Sequence, residues 1–124
     1  MSILSDIADH LENSGLGTVG TDIFYSYAPG DINTGIFVLD TGGPKPDEDI
    51  PTKHPTFQCF IRAADYDTGK TKLEAVRDLL HRVQNTTIGN SFFYHILAMS
   101  EGGHIGRSEN GHDEFSINFQ VLTR

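Results

Sequence analysis

The sequence predicts an α+β fold, a single and largely antiparallel β-sheet with two α-helices packed on one face, in the order α-β-β-β-α-β-β. Two segments carry apolar side chains at helical spacing, and five others alternate apolar with polar residues or are rich in Ile, Val, Phe and Tyr. Residues that favour turns, chiefly glycine, proline, asparagine and aspartate, separate these segments.

Residues 2–13 are predicted to form the first helix. Their apolar side chains recur at helical spacing and form one stripe, made of Ile3, Leu4, Ile7, Ala8 and Leu11. Ser2 is suited to cap the start of the helix, and Asp6 lies near the positive end of its dipole. Gly15 follows as the expected stop.

The second helix is predicted to begin between Asp67 and Thr71 and to end within residues 85–89. Charged side chains occupy one face, and the other face carries an apolar stripe made of Leu73, Val76, Leu79, Leu80 and Val83. This pattern indicates a helix that packs one side against the rest of the protein.

Strands are predicted at residues 22–27, 35–40, 56–64, 91–100 and 115–121. The fourth is apolar on both faces, which indicates a central position in the sheet. The fifth alternates strictly, and the Asn110-Gly111 turn before it predicts that residues 105–109 fold back against its start. Residues 41–51 are rich in proline and acidic side chains and lack periodicity, so we expect a long exposed loop there.

The length of 124 residues predicts one domain, residues 1–124, with one ordinary hydrophobic core. The formal charge of −8 disfavours nonspecific binding to DNA phosphates or anionic lipid. No apolar run approaches the roughly 20 residues of a membrane span, and the N-terminus lacks the pattern of a signal peptide. The single Cys59 excludes an internal disulfide. We therefore expect synthesis in a reducing cytoplasm and no membrane partner.

One short motif suggests a nucleotide site. Gly69-Lys70-Thr71 resembles the end of a phosphate-binding loop, but Ala64 stands where that loop needs its first glycine. Solvent-facing residues at the start of a helix explain the motif better.

A second motif suggests a protease. Asp40-Thr41-Gly42 resembles the catalytic turn of the retroviral-type aspartic proteases, in which two chains each supply one aspartate, and Ile105-Gly106-Arg107 resembles their second glycine motif. The helix predicted at residues 68–84 falls where that fold has strands. A dimeric protease that uses Asp40 is therefore kept only as an unfavoured alternative.

The six histidines show no spacing that places two of them on one helix face as metal ligands. His104 and His112 would meet across the predicted hairpin, where Asp113 or Glu114 could join them. Scattered surface histidines explain the pattern better, so no metal or other cofactor is expected.

Five blocks along the chain share the order and spacing of a known family. After the opening helix they are LGTVGTDIF at residues 16–24, TGGPKP at 41–46, HPTFQ at 54–58, AADYD at 63–67 and the glycine-punctuated stretch that leads into the last strand, 106–119. Together they resemble the tail terminator (minor capsid) proteins of long-tailed bacteriophages and prophages. The resemblance extends over nearly the whole chain.

The resemblance implies a structural protein without catalysis. Such a protein forms a ring, usually a hexamer, that caps the head-proximal end of the tail tube. Its partners would be its own copies, the major tail tube protein and a head-completion (stopper) protein, while the genome DNA would pass through the ring without specific binding. It would be found in the host cytoplasm during assembly and then in the virion. Another head–tail adaptor or interaction module of similar fold is the alternative.

Two segments are the expected docking elements of such a ring, the loop at residues 42–54 and the hairpin at residues 102–113. The candidate assembly residues in them are Pro44, Lys45, Pro46, Asp47, Glu48, Asp49, His104, Arg107, Glu109, Asn110 and His112. A closed ring needs two different surfaces on each copy, and unpaired strand edges are natural candidates. No catalytic, metal-binding or cofactor-binding residue is predicted.

Overall fold

Seven strands form one mostly antiparallel sheet in the computed structural model, which describes residues 3–26, 34–42, 53–107 and 111–123. In chain order the elements are α1 (Ile3–Asn13), β1 (Ile23–Tyr25), β2 (Gly35–Gly42), β3 (Thr56–Ala63), α2 (Tyr66–Leu80), β4 (Val83–Ile88), β5 (Ser91–Ala98), β6 (Gly103–Arg107) and β7 (Asp113–Thr123). The predicted α+β class is confirmed, and the two predicted helices and five predicted strands occur in the predicted order. The segment that was predicted to fold back before the last strand is β6, and β4 is an additional strand.

The strands lie in the order β1-β2-β3-β7-β5-β4. Along its other edge the long strand β7 pairs first with β6, at residues 113–116, and then with β5, at residues 119–123. β1 and β2 run parallel, whereas the remaining pairs are antiparallel. The predicted central position of β5 is confirmed, because β7 and β4 flank it.

The core lies between the two helices and one face of the sheet. Alternate residues of β3 and β7 point to this face, as predicted, and Phe57 stacks on its cross-strand partner Phe119 with ring centroids 5.1 Å apart. The helices bury their apolar stripes against the same residues, with full burial of Ile7, Leu11, Leu73, Val76 and Leu80. Both helices therefore pack on one face, as the sequence indicates.

The opposite face of the sheet carries a packed cluster around Arg62. Its guanidinium lies over the rings of Phe37 and Phe60, 5.3 and 5.6 Å from their centroids. Its Nε donates to Glu114 Oε2 at 3.1 Å across the β3–β7 pair. Phe24 stacks on the far side of this cluster, on Phe37 at 5.8 Å.

Helix α1 ends as the sequence predicts. Gly15 has a φ of +85°, and its N–H donates to the carbonyl of Glu12, while the N–H of Leu16 donates to the carbonyl of Leu11. These two bonds close the helix with a left-handed glycine, a common stop signal. Ser2, the predicted cap at the other end, lies outside the described residues.

Helix α2 begins at Tyr66, slightly before the predicted window, because Asp65 caps it. The Asp65 carboxylate accepts a hydrogen bond from the N–H of Thr68 at 2.8 Å. The helix ends at Leu80, well before the predicted end at residues 85–89.

Residues 83–88 form strand β4, so the predicted extension of the second helix was wrong. Arg82 adopts a left-handed φ of 72° and turns the chain out of the helix. Val83, which fits the helical stripe in the sequence, packs against the core from β4, opposite Ile96 of β5. Its side chain reaches the same core from a strand, which explains why periodicity alone misplaced it.

β4 and β5 form a hairpin with the two-residue loop Gly89-Asn90, between the paired residues Ile88 and Ser91. Of the two loop residues only Gly89 has a positive φ, +60°, as a type II′ turn requires.

No helix in the described part of the chain is long and apolar enough to cross a membrane.

Candidate assembly interface

The β6–β7 hairpin holds a charged cluster around a buried carboxylate. Asp113, at the start of β7, has a side chain only 8% exposed, and its Oδ1 lies 2.9 Å from His104 Nε2. Arg107 Nε lies 3.9 Å from the same oxygen. The sequence analysis left open whether Asp113 or Glu114 would join His104 and His112, and the structure places Asp113 against His104, which lies opposite Phe115 in the strand register.

His104 also joins the hairpin to the helix layer. Its ring lies 5.0 Å from Phe115 of β7 and 5.3 Å from Tyr66 at the start of α2, in both cases edge to face. The Asp113 bond and these ring contacts fix the imidazole from three sides. His104 therefore stabilises β6 within its own chain, and one third of its side chain remains exposed.

Among the described residues of the hairpin, Arg107 presents the most accessible charge. Its side chain is 62% exposed, and its Nη2 donates to the carbonyl of Gly111, which closes the hairpin. Ile105 lies beside it in an irregular step of the β6–β7 pairing and is 57% exposed. An exposed cation next to an exposed aliphatic side chain is suited to contact another protein.

The remaining predicted docking residues divide into two groups. His112 is described and is half-buried before β7. Glu114, which was considered only as a metal ligand beside His104 and His112, points to the opposite face of the sheet and bonds to Arg62. Eight residues lie outside the described part of the chain, namely Pro44, Lys45, Pro46, Asp47, Glu48, Asp49, Glu109 and Asn110.

The two ends of the predicted loop are anchored to the sheet. At its start, Thr41 and Gly42 belong to β2 rather than to the loop, and Thr41 Oγ1 lies 2.7 Å from Thr56 Oγ1 of β3. At its end, Lys53 and Thr123 exchange two backbone hydrogen bonds of 2.8 and 3.0 Å. The loop therefore leaves and rejoins the sheet where β7 ends.

The motifs that suggested enzymes have structural explanations. Gly69-Lys70-Thr71 lies inside α2 and not in a loop ahead of it. Asp40 is exposed near the end of β2, and its Oδ1 accepts a hydrogen bond from the N–H of Gly42 at 2.7 Å. Since β3 and β7 separate β2 from β6, Asp40 does not come together with Ile105-Gly106-Arg107 within one chain.

Metal ligands do not gather in the part of the chain described here. Within residues 3–26, 34–42, 53–107 and 111–123 no group of three or more His, Cys, Asp or Glu is placed to hold a metal ion.

A cavity of about 30 Å³ between α2 and the β2–β3 pair is lined by Ile36, Ile61 and Lys72 among others, and has room for a water or two rather than a substrate.

Within the part of the chain that the structure describes, three titratable groups have shifted pKa values, each for a local reason. Complete burial raises the pKa of the Cys59 thiol to about 12. The hydrogen bond from the backbone N–H of Thr68 lowers the pKa of Asp65, and partial burial lowers that of His10. These groups lie in β3, at the start of α2 and in α1, so they reflect burial and helix capping rather than a shared reactive centre.

Two features of the structure were not predicted from the sequence. The edge strand β4 was hidden in the predicted helix, although Gly89-Asn90 between two β-prone runs is a recognisable hairpin signal. The buried carboxylate of Asp6, which bonds to Ser91 Oγ at 2.5 Å, had no signal, because its partner lies 85 positions away.

Comparison with known proteins agrees with the fold and the family. A model of the family described as bacteriophage tail terminator protein matches residues 10–123. A chain in the virion of a native gene transfer agent particle has a similar fold, with a TM-score of 0.57 and 17% identity over 84% of this chain and 79% of that chain. No curated protein matches. Because the family model spans nearly the whole sequence, the chain belongs to the bacteriophage tail terminator family, whose members are structural tail proteins.

Proposed function

We propose that this tail protein caps the head-proximal end of the tail tube as a ring of six copies, stops tube polymerisation and joins the tube to the head-completion proteins. The match to the tail terminator family over residues 10–123 is the observation that carries the proposal. The protein acts by contact alone, without catalysis.

The two ends of the sheet offer different surfaces, as the heterologous contacts of a ring require. At one end β4 is an outer strand, paired only with β5 among the described strands. At the other end β1 pairs with residues 36–38 of β2 only, so residues 39–42 of β2 have no described strand beside them on that side. Free backbone groups at both ends can pair with a neighbouring copy.

Asn85 limits which part of the β4 edge can pair. It has a left-handed φ of 47° and takes no part in the register with β5, which resumes at Thr86. Such an irregularity in an edge strand discourages pairing with unrelated chains. The short segment Thr86–Thr87 is therefore the part of β4 that we expect to contact the neighbour.

The anchor of the loop at Lys53 and the start of β7 in the hairpin lie at opposite ends of β7, so the two elements are suited to different partners. The loop is anchored at Thr123 and the hairpin at Asp113, the two ends of this strand of 11 residues. At the usual rise per residue they are roughly 33 Å apart. One element can then face the tube while the other contacts a neighbouring copy or the head-completion proteins. The net charge of −8 would repel the phosphates of the DNA that passes through the ring.

The first experiment is absolute mass by light scattering over a wide concentration range, with negative-stain images of the same fractions. Six copies of a 13.7 kDa chain give about 82 kDa and a ring with a central hole. The same samples are then added to polymerising tube protein. Binding at tube ends with arrest of growth supports the cap, whether the ring exists beforehand or forms on the tube. A stable symmetric dimer that never binds tube ends contradicts it.

Deletion of residues 44–49 tests the loop. We expect weaker binding to the tube with an unchanged unfolding midpoint, because both anchors of the loop lie outside the deletion. Unchanged binding would remove the loop from the interface.

Substitution of Arg107 by Glu tests the hairpin. The new carboxylate would also lie near Asp113, so Arg107→Gln is the variant that removes the charge without adding repulsion. We expect both to weaken assembly, and Lys70→Glu, on α2, serves as the matched control for a charge reversal elsewhere. Assembly that is unaffected by either Arg107 variant would exclude the hairpin as an essential contact.

A further inference from the structure

Helix α1 buries a carboxylate that its amphipathic pattern does not require. Asp6 is only 1% exposed and lies among the core residues of the first turns. A carboxylate removed from water is unfavourable unless hydrogen bonds compensate for its lost solvation.

Both oxygens of Asp6 are bonded to the turn of the β4–β5 hairpin. The hydroxyl of Ser91 donates to Oδ2 at 2.5 Å, and the backbone N–H of Asn90 donates to Oδ1 at 3.4 Å. The position of Asp6 in the first turn of α1 adds the favourable helix dipole. The described groups that compensate the carboxylate therefore belong to α1 or to this turn.

Gly89, the first residue of the turn, shows how closely the hairpin and α1 approach each other. A Cβ at Gly89 would overlap the Asp6 carboxylate, and Gly89 has a φ of +60°. Glycine is needed here both for the conformation of the turn and for the approach of the helix. The tip of the β4–β5 hairpin therefore packs against α1, and Asp6 makes the contact.

Besides the contact with Asp6, strand β4 is attached to the protein by its pairing with β5 and by Val83, which packs against the core. Of its six residues only Ile88, next to the turn, is fully buried, and the middle of the strand, residues 84–87, is exposed. Its pairing with β5 is interrupted at Asn85. The position of β4 therefore depends on its pairing with β5 and on its two ends, which pack in the core, and Asp6 holds the turn at one of these ends.

We propose that Asp6 is a positioning residue for the β4 edge: its bonds to Ser91 and Asn90 fix the β4–β5 hairpin on α1 and so hold β4 where a neighbouring copy of this chain can pair with it. The first half of this statement concerns the chain alone. The second half rests on the proposed ring.

The test is hydrogen exchange of the β4–β5 segment, residues 83–98, in Asp6→Ala and Ser91→Ala. Asp9→Asn is the matched control, because Asp9 is an exposed acid on the same helix. We expect exchange in this segment to rise about tenfold in each variant, with β3 and β7 unchanged, and no change in the control. The double variant should exchange no faster than Asp6→Ala, since both remove the same bond.

Asp6→Asn supplies a conservative comparison. It keeps an oxygen acceptor for the Ser91 hydroxyl, so its exchange should lie between those of the wild type and Asp6→Ala. If Asp6→Ala does not fold, Ser91→Ala and Asp6→Asn carry the same comparison. Wild-type exchange rates in all variants, or faster exchange spread evenly over the whole sheet, would overturn the positioning role.

Ring formation by the same variants separates the two halves of the proposal. Faster exchange of β4 together with a loss of rings supports both. Faster exchange with intact rings overturns the link to the neighbouring copy and leaves the proposed cap standing. If the wild type forms no ring with or without the tube, the proposed function fails, while the exchange data still decide the role of Asp6.

Discussion

Gly69 in α2 lies against the ring of Phe115 in β7, so closely that a Cβ on Gly69 would come within 3.0 Å of three ring atoms. Glycine inside a helix is destabilising by about 0.5–1 kcal/mol relative to alanine. Its presence here is explained by the close approach of helix and sheet. The motif that resembles a phosphate-binding loop is therefore a packing contact.

We expect Gly69→Ala to destabilise the protein by about 1–3 kcal/mol, because the methyl group must displace the Phe115 ring. This is the opposite of the gain that alanine gives in an unconstrained helix. Chemical denaturation of the variant measures the change. Gly103→Ala is the control, since a Cβ there meets nothing within 4 Å, and its effect should stay within about 0.5 kcal/mol. A stabilised Gly69→Ala variant would contradict the packing explanation.

Arg62 stabilises the face of the sheet without helices. Its side chain covers Phe37, which is fully buried, and bonds to Glu114. Arg62→Ala should reduce the free energy of unfolding by about 2 kcal/mol, through the lost cation–π contacts and the half-buried ion pair. Arg62→Lys should lose about half of this, since an ammonium keeps the charge but not the planar stacking. Thermal and urea unfolding measure both variants.

Glu114→Gln distinguishes the ion pair from the stacking. It removes the charge and leaves Arg62 over the rings, so we expect a loss of less than about 1 kcal/mol. Equal losses for Arg62→Ala and Glu114→Gln would mean that the rings contribute nothing.

Cys59 should be unreactive in the folded protein. Burial raises the pKa of its thiol to about 12, so the thiolate that reacts with disulfide reagents is absent at neutral pH. Ellman's reagent should detect no thiol in the native protein and one thiol per chain after denaturation. Rapid labelling of the native protein would show that β3 opens far more readily than its full burial implies.

The Asp65 cap gives stability that depends on pH. The Thr68 N–H bond lowers the pKa of Asp65 in the folded state, so the unfolded state takes up its proton first as the pH falls. The contribution is complete above the unfolded pKa, near 3.9, and is lost as the pH falls through the lower folded value. Asp65→Ala should lower the unfolding midpoint at pH 7, and its difference from the wild type should shrink as the pH falls below about 4. Asp67→Ala is the control, because Asp67 lies two residues after Asp65 and is exposed. An equal change in the unfolding midpoint of both variants would argue against the cap.

Local patterns in the sequence were sufficient for most elements. β3 and β7 alternate strictly, so their faces were predicted correctly residue by residue. The glycine stop of α1 and the fold-back of β6 also follow from short-range chemistry. The second helix was overextended, because Val83 continues a helical stripe although it faces the core from β4.

The candidate interface was predicted less completely. The pairing of His104 with Asp113 follows from hairpin geometry within ten residues of chain. Hairpin geometry does not predict that His104 contacts the ring of Tyr66 in α2. It also does not predict that Asp113 lies near both His104 and Arg107. Eight of the eleven predicted interface residues lie outside the described part of the chain, and the interface role of all eleven stays a prediction.

The sequence by itself determined the elements whose cause is local: amphipathic stripes, alternating strands, a left-handed glycine after α1 and the family resemblance. Only the tertiary structure decided that β4 is an edge strand, that Asp6 bonds to Ser91 and that Gly69 fits against Phe115. Each of these depends on the distance between residues far apart in the chain. Periodicity describes which side of an element is apolar, but it does not encode which distant partner that side meets.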